Sequence, residues 1–227
     1  MTVAAIFDLD DTILDGSSGR MFLRYMQQEN LVDRFVRRRD MAQFMGGYLL
    51  HKVGIVDVTH ILDHMARLLK GMEMDEMWQL AQHWYTTMLK PTITQAARDQ
   101  LAWHRSQGHT LLICSGSSQF AVLQVAAELQ VPHTIYTEWQ AEDGQLTGTL
   151  RKPIVYGTGK VYWAKAWAKT HGIDLEKSYF YSDHVSDIPL LELVAHPVAI
   201  NPDRKLARLA DQRGWPIHRW SAGNETV

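Results

Sequence analysis

A short apolar run near the start of the chain, residues 3–7, ends abruptly in the acidic segment 8–12, which reads DLDDT. The run is too short for a helix and shows no polar alternation, which is typical of a strand buried on both faces of a parallel sheet. In open α/β sheets, ligands bind at the carboxyl ends of the strands. The sequence therefore predicts that Asp8 lies at a ligand-binding edge.

Two interpretations of segment 8–12 are open on these residues alone. Neighbouring carboxylates repel one another, and a divalent cation that prefers oxygen ligands, such as Mg²⁺, relieves that repulsion. A site of that kind would accept phosphate. Asp is also common in turns and at helix N-caps, so an isolated Asp pair is more often a polar turn.

The rest of the chain predicts an α/β fold with a helical insertion. Apolar residues recur at helical spacing from residue 21 to about 89, and Pro91 marks the end of this all-helical block. After Pro91, apolar strand patterns alternate with helical ones, which predicts a parallel sheet with helices on both faces. Strands are predicted at 110–114, 133–137, 179–181 and 198–200, helices at 95–106, 117–130, 160–170, 187–193 and 204–212, and a hairpin at 139–150.

Composition excludes several classes of partner. The net charge is −2, from 23 basic and 25 acidic residues, so neither nucleic acid nor an anionic membrane is an expected partner. Cys114 is the single cysteine, which rules out an internal disulfide. No long apolar segment suggests a signal peptide or a membrane span, and we expect a cytoplasmic protein of unknown oligomeric state.

Polar residues that could bind or react with a ligand occur at three further places, next to the ends of predicted strands or helices. Ser115 and Gly116 follow the strand that contains Cys114 and offer a hydroxyl and backbone N–H groups to an anion. Lys160 begins a helix, where a cation opposes the helix dipole unless an anion pairs with it. Asp183 and Asp187 follow another strand. Each signal is weak alone, but all of them fall at the same edge of the predicted sheet as segment 8–12.

In this order the acidic segment, Ser115, Lys160 and the pair Asp183 and Asp187 resemble the four motifs of the haloacid dehalogenase-like hydrolase superfamily. Across nearly the whole core the chain looks like subclass IB, the branch that contains phosphoserine phosphatase. The resemblance implies a Rossmann-like parallel sheet with helices on both faces, formed by residues 1–13 and 91–227. It also implies an inserted all-helical cap of the C1 type, residues 14–90.

The resemblance further implies a Mg²⁺-dependent phosphatase that acts through an aspartyl-phosphate. Asp8 is the expected nucleophile, and Asp10 is the expected general acid and then general base. The expected Mg²⁺ ligands are the carboxylates of Asp8 and Asp183 and the backbone carbonyl of Asp10.

The remaining motif residues have expected supporting roles. Ser115 and Gly116 are expected to bind the phosphate oxygens, and Lys160 to neutralise the group being transferred. Asp187 is expected to orient Lys160 or the surroundings of the metal, and Thr12 to support the first loop. The presence of an acid at Asp10 favours phosphoester hydrolysis over dehalogenation.

The expected substrate is a small phosphorylated metabolite. Phosphoserine phosphatases carry a glutamate nine residues after the nucleophile, where this chain has Ser17, and the fourth motif departs from theirs at Ser182 and Ser186. Phosphoserine, histidinol phosphate and related small esters are all open as substrates. A phosphomutase or phosphotransferase using the same site, and a phospho-accepting signalling module, are the alternatives.

Overall fold

The structure is a computed structural model that describes residues 2–31 and 58–221. Part of the predicted helical block, residues 32–57, lies outside the described residues, as does the tail from residue 222. The strands are β1 Ala4–Phe7, β2 Thr110–Ser118, β3 His133–Thr137, β4 Trp139–Glu142, β5 Gln145–Leu150, β6 Tyr179–Ser182, β7 His196–Ile200 and β8 Ile217–His218. The α-helices among the described residues are α1 Ser18–Gln28, α2 Val58–Leu68, α3 Met74–Trp84, α4 Gln95–Ser106, α5 Gln119–Glu128, α6 Thr158–His171, α7 Ile188–Leu191 and α8 Arg204–Arg213.

Six parallel strands form the main sheet in the order β3-β2-β1-β6-β7-β8, which confirms the predicted α/β fold. Strand β1 is central and fully buried, and successive residues contribute to opposite faces. Ala5 and Phe7 belong to the apolar cluster that includes residues of α4 and α5. Ala4 and Ile6 belong to the cluster formed with α6, α7 and α8. The central strand is therefore fixed from both sides, and so is the residue that follows it.

The predicted boundary that differs most from the structure is the one between β2 and the helix that follows it. Strand β2 continues to Ser118 instead of ending at Cys114, because after a register shift it pairs again with β3 at Thr137. The following helix accordingly begins at Gln119 and not at residue 117. The hydroxyl-rich segment after Cys114 resembles a helix cap in sequence, but its backbone stays extended along the sheet edge.

The chain leaves and re-enters the core along two adjacent segments. Leu14 and Ile93 form an antiparallel bridge, and the backbone N–H of Asp15 donates to the carbonyl of Thr92 at 2.8 Å. The helical block between these segments also contacts the core elsewhere. Within the described ranges, no helix is both long and apolar enough to cross a membrane.

The hairpin formed by β4 and β5 turns at residues 143–144, as predicted, and binds the helical block through its main chain. The N–H of Gly71 donates to the carbonyl of Leu146 at 2.8 Å, and the N–H of Leu146 donates to the carbonyl of Met72 at 2.9 Å. The N–H of Met74 donates to the carbonyl of Gly144 at 2.7 Å. The hairpin and the segment between α2 and α3 are thus joined by main-chain hydrogen bonds.

Candidate active site

Asp8 lies at the carboxyl end of the central strand, as the apolar run predicts. Its backbone N–H donates to the carbonyl of Tyr181 in the adjacent strand β6 at 2.9 Å, so the sheet ladder itself fixes its position. The chain then makes a tight turn over residues 9–13, in which Asp11 adopts a left-handed φ of 50°. The side-chain amide of Asn201 donates to the carbonyl of Asp11 at 3.0 Å and holds this turn.

Lys160 joins the first and fourth motifs. Its Nζ lies 3.0 Å from Oδ1 of Asp8 and 2.6 Å from Oδ2 of Asp187. The side chains of Lys160 and Asp187 are only 3% and 1% exposed, so this is a buried charge cluster. Burial opposes the charge on Lys160, but the carboxylates of Asp187 and Asp8 outweigh it and raise the pKa of Lys160. The lysine therefore stays a cation, as its place at a helix start suggested.

Two close approaches of the backbone position Lys160. A Cβ atom on Gly159 would lie 1.9 Å from the carbonyl oxygen of Ile154, so only glycine fits between the loop and the first turn of α6. A Cβ atom on Gly116 would lie 3.1 Å from the carbonyl oxygen of Val155, the next residue of the same loop. The loop is thus packed between the second motif and the helix that carries Lys160.

Asp187 serves as a buried anchor beneath Lys160. Its Oδ2 accepts hydrogen bonds from Lys160 Nζ and from Ser182 Oγ, each at 2.6 Å. Ser182, at the end of β6, is one of the positions that depart from the family pattern, and here its hydroxyl completes the anchor. This role of Ser182 was not predicted, because a serine at a strand end has no distinctive signal in the sequence.

The site holds more carboxylate than Lys160 can neutralise. Burial and the neighbouring carboxylates Asp8, Asp11 and Asp187 together outweigh the effect of Lys160 and raise the pKa of Asp183 to about 9. Burial likewise raises the pKa of Asp8 to about 7 against the pull of Lys160. A divalent cation bound between these oxygens would relieve the repulsion, so the donor set fits Mg²⁺.

The fit depends on the backbone as well as on side chains. Among the residues that the structure describes, no three acidic, histidine or cysteine side chains form a ligand cluster by themselves. The expected set requires only two carboxylates, from Asp8 and Asp183, and takes its third protein oxygen from the carbonyl of Asp10. Mg²⁺ commonly keeps several water ligands and needs few protein oxygens.

Asp10 is held by the start of helix α1. The backbone N–H of Ser18 donates to Oδ1 of Asp10 at 3.0 Å, and Ser18 Oγ lies 2.8 Å from Ser117 Oγ of the second motif. Burial raises the pKa of Asp10, and the contacts with Ser18 and Ser117 lower it in part. Ser18 and Ser117 were not predicted as site residues. Ser117 belongs to the hydroxyl-rich segment after Cys114, whereas nothing in the sequence analysis singled out Ser18.

The structure brings most of the predicted site residues into one pocket of about 430 Å³. The predicted residues that line this pocket are Asp8, Asp10, Ser115, Gly116, Lys160 and Asp183. Ser115 is buried, and its Oγ accepts a hydrogen bond from the N–H of Ser117 at 3.2 Å. Thr12 and Asp187 lie behind the pocket. The buried hydroxyl of Thr12 makes no hydrogen bond within the described residues, so Thr12 fills space under the first loop.

A family model for haloacid dehalogenase-like hydrolases matches residues 5–192 of this chain, a span that includes every predicted site residue. The chain belongs to this family. Within the family, a histidinol-phosphatase from Neisseria meningitidis is 29% identical over 94% of this chain and 96% of its own length. A phosphoserine phosphatase from Mycobacterium tuberculosis is 29% identical over 96% of this chain and 70% of its own length.

A solved structure gives the same result for the fold. A protein of unknown function from Bordetella pertussis superposes on this haloacid dehalogenase-like hydrolase with a TM-score of 0.86 and 28% identity, over 96% of this chain and 99% of that one. Together with the two phosphatases, these matches confirm the resemblance to the phosphoserine phosphatase-like branch. The protein is a hydrolase of the phosphatase type.

Proposed function

We propose that the protein hydrolyses a small phosphate monoester in a Mg²⁺-dependent reaction, with Asp8 as the residue that becomes phosphorylated. The observation that carries the proposal is the placement of Asp8 at the carboxyl end of β1, 3.0 Å from the buried cation Lys160 and open to the pocket. A carboxylate beside a fixed cation suits attack on a phosphoryl group, because the cation offsets the charge of the phosphate oxygens.

The first proposed step transfers the phosphoryl group to the protein. A carboxylate oxygen of Asp8 bonds to phosphorus, the bond from phosphorus to the ester oxygen breaks, and Asp10 gives its proton to the departing alkoxide. Burial raises the pKa of Asp10, which favours the protonated form that this step requires. Lys160 and the backbone around Ser115 and Gly116 hold the phosphate oxygens.

The second proposed step releases phosphate. Asp10, now a carboxylate, removes a proton from a water molecule as the water oxygen bonds to phosphorus, and the bond between phosphorus and Asp8 breaks. The hydrogen bond from the N–H of Ser18 keeps the Asp10 carboxylate at the pocket while it changes from acid to base. Asp8, Asp183 and the carbonyl of Asp10 would hold Mg²⁺, which when bound supplies positive charge to the phosphate oxygens.

The proposed division of the chain assigns residues 1–13 and 91–227 to an α/β core and residues 14–90 to a helical cap. The antiparallel bridge between Leu14 and Ile93 supports this division, since it joins the two segments that connect the core to the cap. The substrate of the proposed reaction is a phosphorylated small molecule. The cytoplasm is the proposed compartment.

The test is hydrolysis of p-nitrophenyl phosphate with Mg²⁺ by the variant Asp8→Asn. Turnover should be abolished, because an amide keeps the shape of the carboxylate but cannot accept the phosphoryl group. Asp211→Asn, at an exposed position of α8, is the matched control and should retain full activity. Circular dichroism melting of both variants checks that they fold. An Asp8→Asn variant that still turns over substrate rules the proposal out. Product analysis with an added alcohol distinguishes hydrolysis from transfer of the phosphoryl group to that alcohol.

A further inference from the structure

The pocket above the proposed reaction centre has a wall that the proposed chemistry does not use. Polar and charged residues line the end next to the sheet edge, whereas the described lining residues of α2 and α3, together with Phe120 and Trp139, have apolar side chains. The apolar residues that matter most here are Phe22, Ile61, Met65, Trp84, Phe120 and Trp139. A pocket of about 430 Å³ is within the usual range for a ligand and exceeds what a phosphate ion alone needs.

Aromatic contacts fix the shape of this wall. Phe22 and Trp84 pack edge to face, with ring centroids 5.2 Å apart and planes at 72°. Phe120 and Trp139 pack in the same way at 6.1 Å and 75°, and Trp78 supports Phe120 from behind at 4.9 Å. Edge-to-face pairs are a favoured aromatic geometry and resist rearrangement. The surface beyond the phosphate position is therefore preformed and apolar.

The carboxylates of the described lining lie at the phosphate end of the pocket. The acidic residues among its described lining are Asp8, Asp10, Asp11 and Asp183, which all follow β1 or β6. Arg20 adds a cation near the rim and lies 3.4 Å from Asp11. Within the described lining, α2 and α3 contribute no carboxylate. An ammonium group packed against the described residues of α2 and α3 would lose its water without gaining an anionic partner, which is unfavourable.

We propose that this wall binds the alcohol part of the substrate and selects esters whose alcohol is uncharged and apolar, with a branched alkyl or aryl-alkyl group. The proposal rests on the proposed phosphatase function. Water held against an apolar wall is displaced favourably by an apolar group. Esters of amino alcohols, such as phosphoserine and histidinol phosphate, bring an ammonium group for which the described residues of this wall offer no countercharge, and they are the poor substrates.

The experiment compares kcat/KM of the full-length wild-type protein for three alkyl esters in Mg²⁺ buffer: 2-phenylethyl phosphate, O-phosphoserine and histidinol phosphate. Alkyl esters are used because their leaving groups are similarly unreactive, so the ratio reports recognition of the alcohol. We expect 2-phenylethyl phosphate to exceed both amino-alcohol esters by at least about tenfold, the scale of discrimination that an apolar pocket provides. A smaller ratio, or a preference for either amino-alcohol ester, overturns the proposal.

Hydrolysis of p-nitrophenyl phosphate, measured in parallel, separates failure of the specificity proposal from failure of the proposed function. If this activated ester is cleaved but 2-phenylethyl phosphate is not preferred, the specificity proposal fails and the phosphatase function stands. If no ester is cleaved, the proposed function fails and the specificity proposal falls with it.

A pair of variants at Met65 tests the wall directly. Met65→Glu places a carboxylate on the wall and should lower the preference for 2-phenylethyl phosphate over histidinol phosphate by about tenfold or more. Met65→Leu preserves an apolar side chain of similar volume and should leave the ratio within about threefold of wild type. An unchanged ratio in a folded Met65→Glu protein contradicts the proposal. If that variant does not fold, the wild-type comparison alone decides.

Discussion

Replacing Gly159 with alanine tests how the fold positions Lys160. The gap of 1.9 Å between the new Cβ and the carbonyl oxygen of Ile154 would have to open to about 3.0 Å, the shortest distance at which Cβ atoms are found. The obstacle is a backbone oxygen, which cannot rotate away as a flexible side chain does. Gly159→Ala must therefore push the first turn of α6, and Lys160 with it, by about 1 Å.

The expected effects follow from this displacement. Overpacking of a close contact costs about 1–3 kcal/mol of unfolding free energy. In a protein of this size, each kcal/mol corresponds to about 2–4 °C in Tm, so we expect Tm to fall by roughly 2–12 °C. A shift of about 1 Å in a residue that holds the reacting group lowers the rate by about 100-fold. Circular dichroism melting gives the first quantity and p-nitrophenyl phosphate hydrolysis the second.

Gly19→Ala is the matched control for stability. Gly19 is the second residue of α1, as Gly159 is the second residue of α6, and a Cβ on Gly19 meets only Ser17 Oγ at 3.9 Å. Alanine is favoured over glycine in a helix by up to about 1 kcal/mol, so Tm should hold or rise. If Gly159→Ala matches this control in Tm and keeps wild-type turnover, the close approach does not position Lys160 and the reasoning is refuted.

Two further predictions concern charge. Lys160→Met removes the cation between Asp8 and Asp187. We expect hydrolysis of p-nitrophenyl phosphate to fall at least about 100-fold, and the unfolding free energy measured by urea denaturation to fall by about 3 kcal/mol. Activity near that of the wild type would contradict this prediction. Burial, and to a lesser extent His109, lower the pKa of His104 to about 4. Because the unfolded chain takes up this proton near pH 6.5, the contribution of His104 to stability should be full above that pH and fall by about 2 kcal/mol between pH 7 and pH 5. Urea denaturation of the wild type and of His104→Gln at both pH values measures this contribution as the difference between the two proteins, because the buried carboxylates act equally in both.

The fold and most of the proposed site were predictable because both depend on local patterns. An apolar run that ends in acids marks where a strand emerges, and parallel strands place all such ends at one edge. Asp8, Ser115 and Asp183 were therefore expected together, and Lys160 was added to them because the order of the four resembles the motifs of the family. The structure brings all four into one pocket. The substrate was not predictable in this way, because the apolar wall is assembled from distant parts of the chain.

The unpredicted features are contacts between backbone segments far apart in sequence. The sequence indicates only that Gly159 belongs to a loop. Glycine is required there because a Cβ atom would collide with the carbonyl oxygen of Ile154. The hold of Ser18 on Asp10 depends on the exact path of the turn after β1. The extension of β2 to Ser118 depends on its pairing with β3, which the hydroxyl-rich sequence does not indicate.

The main-chain pairing between β5 and the segment joining α2 to α3 matters when a cap is grafted from one member of this family onto another. A graft of residues 14–90 alone would leave Gly144 and Leu146 behind and cut the three hydrogen bonds they make with residues 71–74. It would also separate Lys70 from Gly148, where a Cβ would lie 2.9 Å from that lysine's own Cβ. The helical block and the hairpin at 139–150 should therefore be transferred together, although the two are distant in the sequence.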